Sequence, residues 1–421
     1  MRSVVVTGLG FVTCIGNEKA SVADSLKNLR HGIRIFPPFE GRDYPVHVAG
    51  PVGDFSVDAP DQEDWTFPAD MPPMKFEQRR SLSPHCAYAI HSTMQAIADA
   101  RLSPEEVSTP RTGMYTASSG SSTNLYANLD RLKKFGPRRC PPQGIVSSIA
   151  GTLNFNLVSF YKILGSSTGF VSACASSGHA LGHAVDEIAL GRQDRMIVVG
   201  AEDCNADTIL PFAGLRALSP SADPDNASRP FDKKRDGFVG TGGAVTMIIE
   251  EEETALARGA KIYARITGWG QGSDGYHTMM PHPEGSGLVR AMENALASAQ
   301  IPADRIDYLN AHATSTQAGD IAELKAIKTT FGLNSRVAVS STKALTGHGL
   351  SLSSIMENAF TVIGIDEGWM PGSAHITELD PEAEGVTVIR QTAFGKFQTA
   401  MSNSSGFGGS NVSIIFERVR D

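Results

Sequence analysis

Apolar and polar positions follow two rhythms along this chain. Uninterrupted β-branched or aliphatic runs, Ser3–Thr7 (SVVVT), Arg111–Ser119 and Arg195–Gly200 (RMIVVG), predict strands of a sheet covered on both faces. Between them the period lengthens to that of a helix. Ala20–Leu29, Lys75–Ala100 (Ala87, Ile90, Met94 and Ile97 on one face) and Leu125–Lys134 are the clearest cases. Pro37–Pro73, rich in Pro, Asp and Gly and without periodicity, reads as a surface excursion. Alternating strands and helices of this kind predict α/β layers.

One stretch organises the rest. In Ser166–His179 (SSTGFVSACASSGH) a strand-like run, Gly169–Val171, gives way to small residues and then to a helical face of Ala180, Leu181, Ala184, Val185, Ile188, Ala189 and Leu190. Cys174 falls at that strand-to-helix turn. A helix N-terminus favours a thiolate, and small neighbours leave room for a substrate to reach the sulfur. A buried structural cysteine is the alternative reading of this stretch.

Two motifs recur. Val5–Gly10 (VVTGLG) is echoed by Arg265–Gly270 (RITGWG), and Gly242–Glu250 (GGAVTMIIE) by Gly408–Glu417 (GGSNVSIIFE). The repeat predicts two stacked α/β halves, 1–255 and 256–421, joined near Glu251–Lys261. Gly8-Leu9-Gly10 is a poor dinucleotide fingerprint, because Thr13 takes the place of its third glycine.

The second half adds polar groups at strand ends. Ile306–Leu309 runs into Asn310–Thr316 with His312, and Asp320 opens a helix through Ile327. Val337–Thr342 ends at Lys343, followed by His348 and a helix carrying Glu357; Phe407 lies in a glycine-rich turn before the last strand. A cysteine can hold an acyl group as a thioester that accepts a carbanion. Two neutral imidazole N–H groups could stabilise the enolate formed by decarboxylating a malonyl thioester. Cysteine, two histidines and lysine therefore suit decarboxylative carbon–carbon bond formation.

Composition narrows the class. Of 421 residues, 41% are hydrophobic and 19% charged, as in a folded protein. A net charge of -8 argues against general nucleic-acid affinity. Cys14, Cys86, Cys140, Cys174 and Cys204 are scattered without a CxxC pair, which predicts neither a disulfide framework nor a zinc site and suits a reducing compartment. MRSVVVTGLG is too short an apolar run for a signal peptide, and no stretch reaches the about 18–20 apolar residues of a membrane span. The expectation is a soluble cytoplasmic protein, bound to neither membrane nor nucleic acid.

The motifs ACASSG (Cys174), RPFDKKRDGFV (Arg229–Val239), NAHATSTQAGD (His312), SSTKALTGH (Lys343, His348) and the closing NSSGFGGSNVSIIFE resemble the elongating β-ketoacyl-acyl-carrier-protein synthases, nearly end to end. The resemblance implies a thiolase-like five-layer α-β-α-β-α fold from two duplicated halves. It implies decarboxylative Claisen condensation of a Cys-bound acyl chain with malonyl-carrier protein in fatty-acid elongation. Cys174 would be the nucleophile, His312 and His348 would support decarboxylation, and Lys343 would organise the His312 side. Backbone N–H groups of Cys174 and Phe407 would form the oxyanion hole, with Phe407 gating acyl entry. Thr314, Thr316, Phe212, Ser121 and Gly408 would bind substrate. No catalytic metal is implied, but a structural monovalent cation near Glu357, Asn403 and Ser404 is. No cofactor would be tightly bound, since phosphopantetheine arrives on the acyl carrier protein. That acidic partner would meet Lys75, Arg79, Arg80, Arg138, Arg139 and Arg216. A homodimer is implied as well.

Some positions depart from the family pattern. The small-residue run after the second histidine is Gly349-Leu350-Ser351-Leu352-Ser353-Ser354, His312 is followed by Ala313, and Ala117–Asn124 (ASSGSSTN) is polar where aliphatic residues suit a long saturated chain. They raise an alternative, a ketosynthase of a specialised type II polyketide or polyene pathway working in a heterodimer. A non-catalytic chain-length subunit would lack Cys174, and a degradative thiolase would carry a second cysteine near the chain end, where Ser402–Ser410 has none.

Overall fold

The computed structural model describes residues 2–40, 44–59 and 62–419. An 11-stranded mixed sheet runs through it. Its strands are β1 (Val4–Val12), β2 (Thr112–Ala117), β3 (Ser167–Phe170), β4 (Arg195–Glu202), β5 (Gly243–Glu251), β6 (Ala264–Ser273), β7 (Tyr308–Asn310), β8 (Ala338–Ser340), β9 (Thr387–Val388), β10 (Thr399–Gly406) and β11 (Ser410–Glu417). The longer helices are α1 (Lys19–Lys27), α2 (Pro84–Asp99), α3 (Ser122–Phe135), α4 (Thr152–Tyr161), α5 (Ser176–Ala189), α6 (Ser286–Ala299), α7 (Gln317–Phe331) and α8 (Ser353–Glu367).

The motif echo is a topological repeat. The strand order is β9-β8-β7-β10-β11-β6-β1-β5-β4-β2-β3. Leaving out β9 at the far edge, each half places its own third, second, fourth, fifth and first strands from edge to centre. Pairing senses repeat too: β2 is parallel to β3 and β4, while β5 is antiparallel to β4 and β1. In the second half β7 is parallel to β8 and β10, while β11 is antiparallel to β10 and β6. The halves join where Val4, Val5 and Val6 pair with Ile266, Arg265 and Ala264.

Five layers follow from the packing. Helices α2 and α4 cover the outer face of the first half, and α6 and α7 that of the second. Helices α5 and α8 lie between the two halves of the sheet and touch strands of both. A helix covered on every side must be apolar or small all round, and α8 is buried continuously from Ser353 to Ile365. The central core packs Leu181, Ala184 and Ile188 of α5 with Ile355, Phe360 and Ile363 of α8.

Three local expectations needed correction. The single helix expected at Lys75–Ala100 is a turn, Phe76–Arg79, followed by α2. Pro84 takes the first turn of α2 and forces Ser83 to extended φ/ψ, so the two cannot fuse. Strand β1 runs through Gly8 and Gly10 rather than stopping before them. The excursion at 37–73 buries Phe39, Val46, Val48, Val57 and Trp65, so it is partly core; its residues 41–43 and 60–61 lie outside those described. Among the described residues no helix is long and apolar enough to cross a membrane.

Candidate active site

Cys174 projects from the turn between β3 and α5. Ala173 sits at φ +51, the left-handed region, which turns the chain sharply just before the cysteine. The Ser176 hydroxyl closes that turn, accepting from Ser172 N at 2.8 Å and donating to Ala173 O at 2.6 Å. The end of β10 presses against it. A Cβ on Gly406 would fall 2.6 Å from Ser172 O and 3.2 Å from Cys174 N, so glycine is required there. This brings the Gly406–Phe407 backbone beside the Cys174 amide.

Burial decides the state of the thiol. It pushes Cys174 up to about 12, with the Lys343 charge pulling the other way, so the resting sulfur is a thiol. The expectation that the helix N-terminus would make it a thiolate is thereby corrected. Lost hydration outweighs the helix end. The sulfur lies 3.0 Å from His348 Nε2.

Each histidine is held through its backbone and its Nδ1. His348 N donates to Val239 O at 2.7 Å, its carbonyl accepts from Thr241 N at 3.1 Å, and its Nδ1 is 2.9 Å from Ser353 Oγ. The amides of His312 and Ala313 donate to the Glu323 carboxylate at 3.0 and 2.7 Å. His312 Nδ1 is 3.4 Å from Lys343 Nζ. An ammonium cannot accept a hydrogen bond, so this Nδ1 is the acceptor and the ring proton is on Nε2. Burial first, then the Lys343 charge, holds both imidazoles well below the usual histidine value, which leaves both neutral at pH 7. The rings meet edge to face, 5.4 Å between centroids. Lys343 also pairs with Glu357, whose carboxyl burial pushes up to about 7 against the pull of that lysine.

A cavity of about 340 Å³ opens onto Cys174, His312 and His348, and Thr314, Thr316, Phe212, Arg216 and Phe407 line it with them. The two threonine hydroxyls are 3.2 Å apart. Arg235 clamps their loop by donating to Thr316 O at 3.1 Å and Gln317 O at 3.0 Å, and is itself paired with Asp380 at 2.6 Å and Asp320 at 3.2 Å. Phe407 is 40% exposed, with its ring 6.2 Å from that of Phe212.

Other predicted residues lie elsewhere. Ser121 is buried at the start of α3, donating to Asp203 Oδ2 at 2.5 Å, and does not line the cavity. Gly408 does not line it either; at φ +79 it turns the chain and donates to Thr278 O at 2.8 Å. Both were expected to bind substrate, but local hydrogen bonding and turn geometry account for them. Arg80, Arg138 and Arg139 share a separate depression of about 620 Å³ with Arg131. Lys75 is exposed. Arg79 is committed inward, donating to Trp65 O at 2.9 Å with its guanidinium 5.1 Å from the Phe67 ring centre.

Glu357 Oε2 and Ser404 Oγ are buried without a hydrogen-bond partner, and such oxygens suit a hard cation. Asn403 suits it less, since its Oδ1 accepts from Ser413 at 2.8 Å. Sequence reasoning missed Glu323, Arg235 and Ser353. Arg235 stood inside a quoted motif, and Glu323 was an acid on a buried helix face, but only the fold shows what either holds.

Residues 1–255 match the family described as Beta-ketoacyl synthase, N-terminal domain, and residues 263–377 match Beta-ketoacyl synthase, C-terminal domain. The chain belongs to the β-ketoacyl synthase family. The 3-oxoacyl-[acyl-carrier-protein] synthase 1 of Haemophilus influenzae is 39% identical over 425 residues, 99% of each chain. A beta-ketoacyl synthase from Burkholderia phymatum has the same fold, with a TM-score of 0.91, 34% identity and 100% of both chains covered. A type II polyketide ketosynthase, solved with its acyl-carrier protein and bound to the hexaketide, is also similar: TM-score 0.88, 26% identity, 99% of this chain and 100% of that one.

Proposed function

We propose that this chain is a β-ketoacyl-acyl-carrier-protein synthase, an acyltransferase of fatty-acid elongation. The observation that carries the reading is that Cys174, His348 and His312 line one cavity, with His348 Nε2 3.0 Å from the sulfur and Lys343, buried behind His312, 3.4 Å from its Nδ1. Cys174 attacks the acyl thioester; the acyl group moves to its sulfur, and the thiol proton leaves with the carrier's phosphopantetheine sulfur. Malonyl-carrier protein then enters and loses carbon dioxide. The enolate oxygen is received by the neutral histidine N–H groups, where a buried donor is worth far more than in water. The enolate carbon attacks the acyl-Cys174 carbonyl, whose oxyanion meets the amides of Cys174 and Phe407. The carbon–sulfur bond breaks, β-ketoacyl-carrier protein is released, and Cys174 leaves as the thiolate, which takes up one proton from solvent to return to the resting thiol.

Thr314 and Thr316 receive the phosphopantetheine arm and Phe212 borders the acyl path. Arg216, exposed at the cavity, the cluster of Arg80, Arg138 and Arg139, and the exposed Lys75 meet the acidic carrier surface. No resident cofactor is invoked, and no step passes through the structural monovalent cation that Glu357 and Ser404 would hold. The halves 1–255 and 256–421 supply the nucleophile and the histidine–lysine group respectively. A second copy would cover the open edge at β3, where Ser167–Gly169 are exposed with Phe155, Leu164 and Val171 around them. Five free thiols suit a reducing compartment, and we assign the chain to the cytoplasm.

Intact-mass analysis after incubation with a panel of acyl-carrier proteins tests this. Saturated C6–C16 adducts are expected on the wild type, absent in Cys174→Ala, and elongated on adding malonyl-carrier protein. Adducts from polyenoyl or aryl chains only, or only beside a paralogous subunit, would move the chain to a specialised type II pathway. No adduct from any donor would overturn the nucleophile.

A further inference from the structure

The serine-rich run after His348 contains one hydroxyl whose place bears on the chemistry. Ser353, fully buried at the first position of α8, accepts the Gly349 N–H at 2.9 Å and lies 2.9 Å from His348 Nδ1. A hydroxyl carries one proton and two lone pairs. With one lone pair taken by Gly349, its proton has a single partner within reach among the described residues, the imidazole Nδ1. If Nδ1 were protonated instead, Ser353 would accept twice and its own proton would be buried without an acceptor, a cost of desolvation that the other arrangement avoids.

We infer that Ser353 is a positioning residue that holds His348 as the tautomer protonated on Nε2, the nitrogen facing Cys174. Lys343 imposes the same tautomer on His312 through its Nδ1. Both cavity-lining histidines therefore carry their proton on Nε2, one set by an ammonium and the other by a hydroxyl. The inference rests on the reading that His348 serves the condensation. Its consequence is specific: His348 does not draw the thiol proton onto Nε2. It donates to the sulfur at 3.0 Å, and after acylation its N–H is available to the substrate oxygen.

The test uses the full chain labelled with ¹⁵N-histidine, comparing wild type, Ser353→Ala and Ser353→Thr, with a His348→Asn sample to assign the ring signals. Long-range ¹H–¹⁵N correlations are expected to show a protonated Nε2 and an unprotonated Nδ1 in wild type and in Ser353→Thr. In Ser353→Ala the His348 nitrogens should move toward tautomer averaging. The kcat for carbon dioxide release from malonyl-carrier protein should then fall about tenfold or more, with KM little changed and turnover restored in Ser353→Thr. Thermal unfolding of each variant separates this from loss of fold. A wild-type spectrum with the proton on Nδ1, or Ser353→Ala with unchanged spectrum and turnover, would overturn the inference. A Ser353-dependent Nε2 tautomer in an enzyme that releases no carbon dioxide would support the positioning and overturn the condensing reading instead.

Discussion

Lys343 is wholly buried, and its ammonium has two partners, His312 Nδ1 and the Glu357 carboxyl. Removing one member of a buried ion pair leaves the other without compensation, typically about 3–5 kcal/mol. Lys343→Ala should therefore lower thermal stability and free the His312 ring to change tautomer. Carbon dioxide release from malonyl-carrier protein should fall roughly 100-fold, the lower range for a lost proton-transfer or donor group. The stability loss has a pH sign. With the lysine in place Glu357 sits near 7, so well below that the pair is largely un-ionised and little is lost with the cation; above it the wild type gains the ionised pair, while in Lys343→Ala burial alone pushes the carboxyl further up and that gain is missing. Calorimetry at pH 6 and pH 8 should show the larger loss at pH 8. Equal losses at both would mean that Glu357 does not depend on this lysine.

At the scale of elements, the glycines of β1 matter as spacers. A Cβ on Gly10 would come within 1.8 Å of Ser92 O, and one on Gly8 within 2.5 Å of Ala96 O, both backbone atoms of α2. Backbone cannot yield as a side-chain tip can. The Gly-x-Gly that faintly suggests a phosphate loop is instead the seat of a close helix–strand contact. Gly10→Ala should destabilise by at least about 2 kcal/mol, an overpacking cost at the contact between the first sheet and its outer helix. Gly53→Ala and Gly214→Ala, where a Cβ meets nothing within 4 Å, serve as controls and should change little. Urea unfolding of the three variants decides it; a Gly10→Ala midpoint equal to the controls would refute the close contact.

For the whole molecule, a buried ion pair and a buried glutamate held by two arginines tie elements together and set opposite limits of pH stability. His85 of α2 meets Asp203, just beyond β4, at 2.7 Å. Burial alone would lower His85, but the charge and hydrogen bond of Asp203, together with the neighbouring Cys86, outweigh it and hold it well above the usual value. A raised folded value gives stability that is full below about 6.5, the unfolded histidine value, and lost as pH rises through the folded one. Glu250 of β5 joins Arg195 of β4 at 2.9 Å and Arg258 beyond the strand. Burial opposes its ionisation, yet the two arginines hold it below the usual carboxylate range. Its contribution is present above the unfolded glutamate value and lost as pH falls through the folded one. Tm against pH should therefore fall on both sides, with the alkaline limb flattened in His85→Gln and the acid limb in Glu250→Gln. Limbs that persist in these variants would assign them to other groups.

Strand and helix periods, the Cys174 turn and the echo of VVTGLG in RITGWG are local features, readable because a side chain's face is fixed by its spacing along the backbone. They determined the α/β class and the two-half plan, and with the strand-end motifs they singled out Cys174, His312, His348 and Lys343 as candidates. The split at Pro84 was also written locally, though the helical pattern hid it. What only the tertiary structure decided depends on groups far apart in sequence coming within a few ångströms. The neutral Cys174 thiol follows from burial between two halves, and the histidine tautomers from Lys343 and Ser353 folding back onto Nδ1. Ser121 and Arg79 looked available in sequence and are committed inward by Asp203 and Trp65. Sequence spacing names the groups that can react; dehydration and hydrogen-bond partners, which are properties of the packed chain, set their protonation.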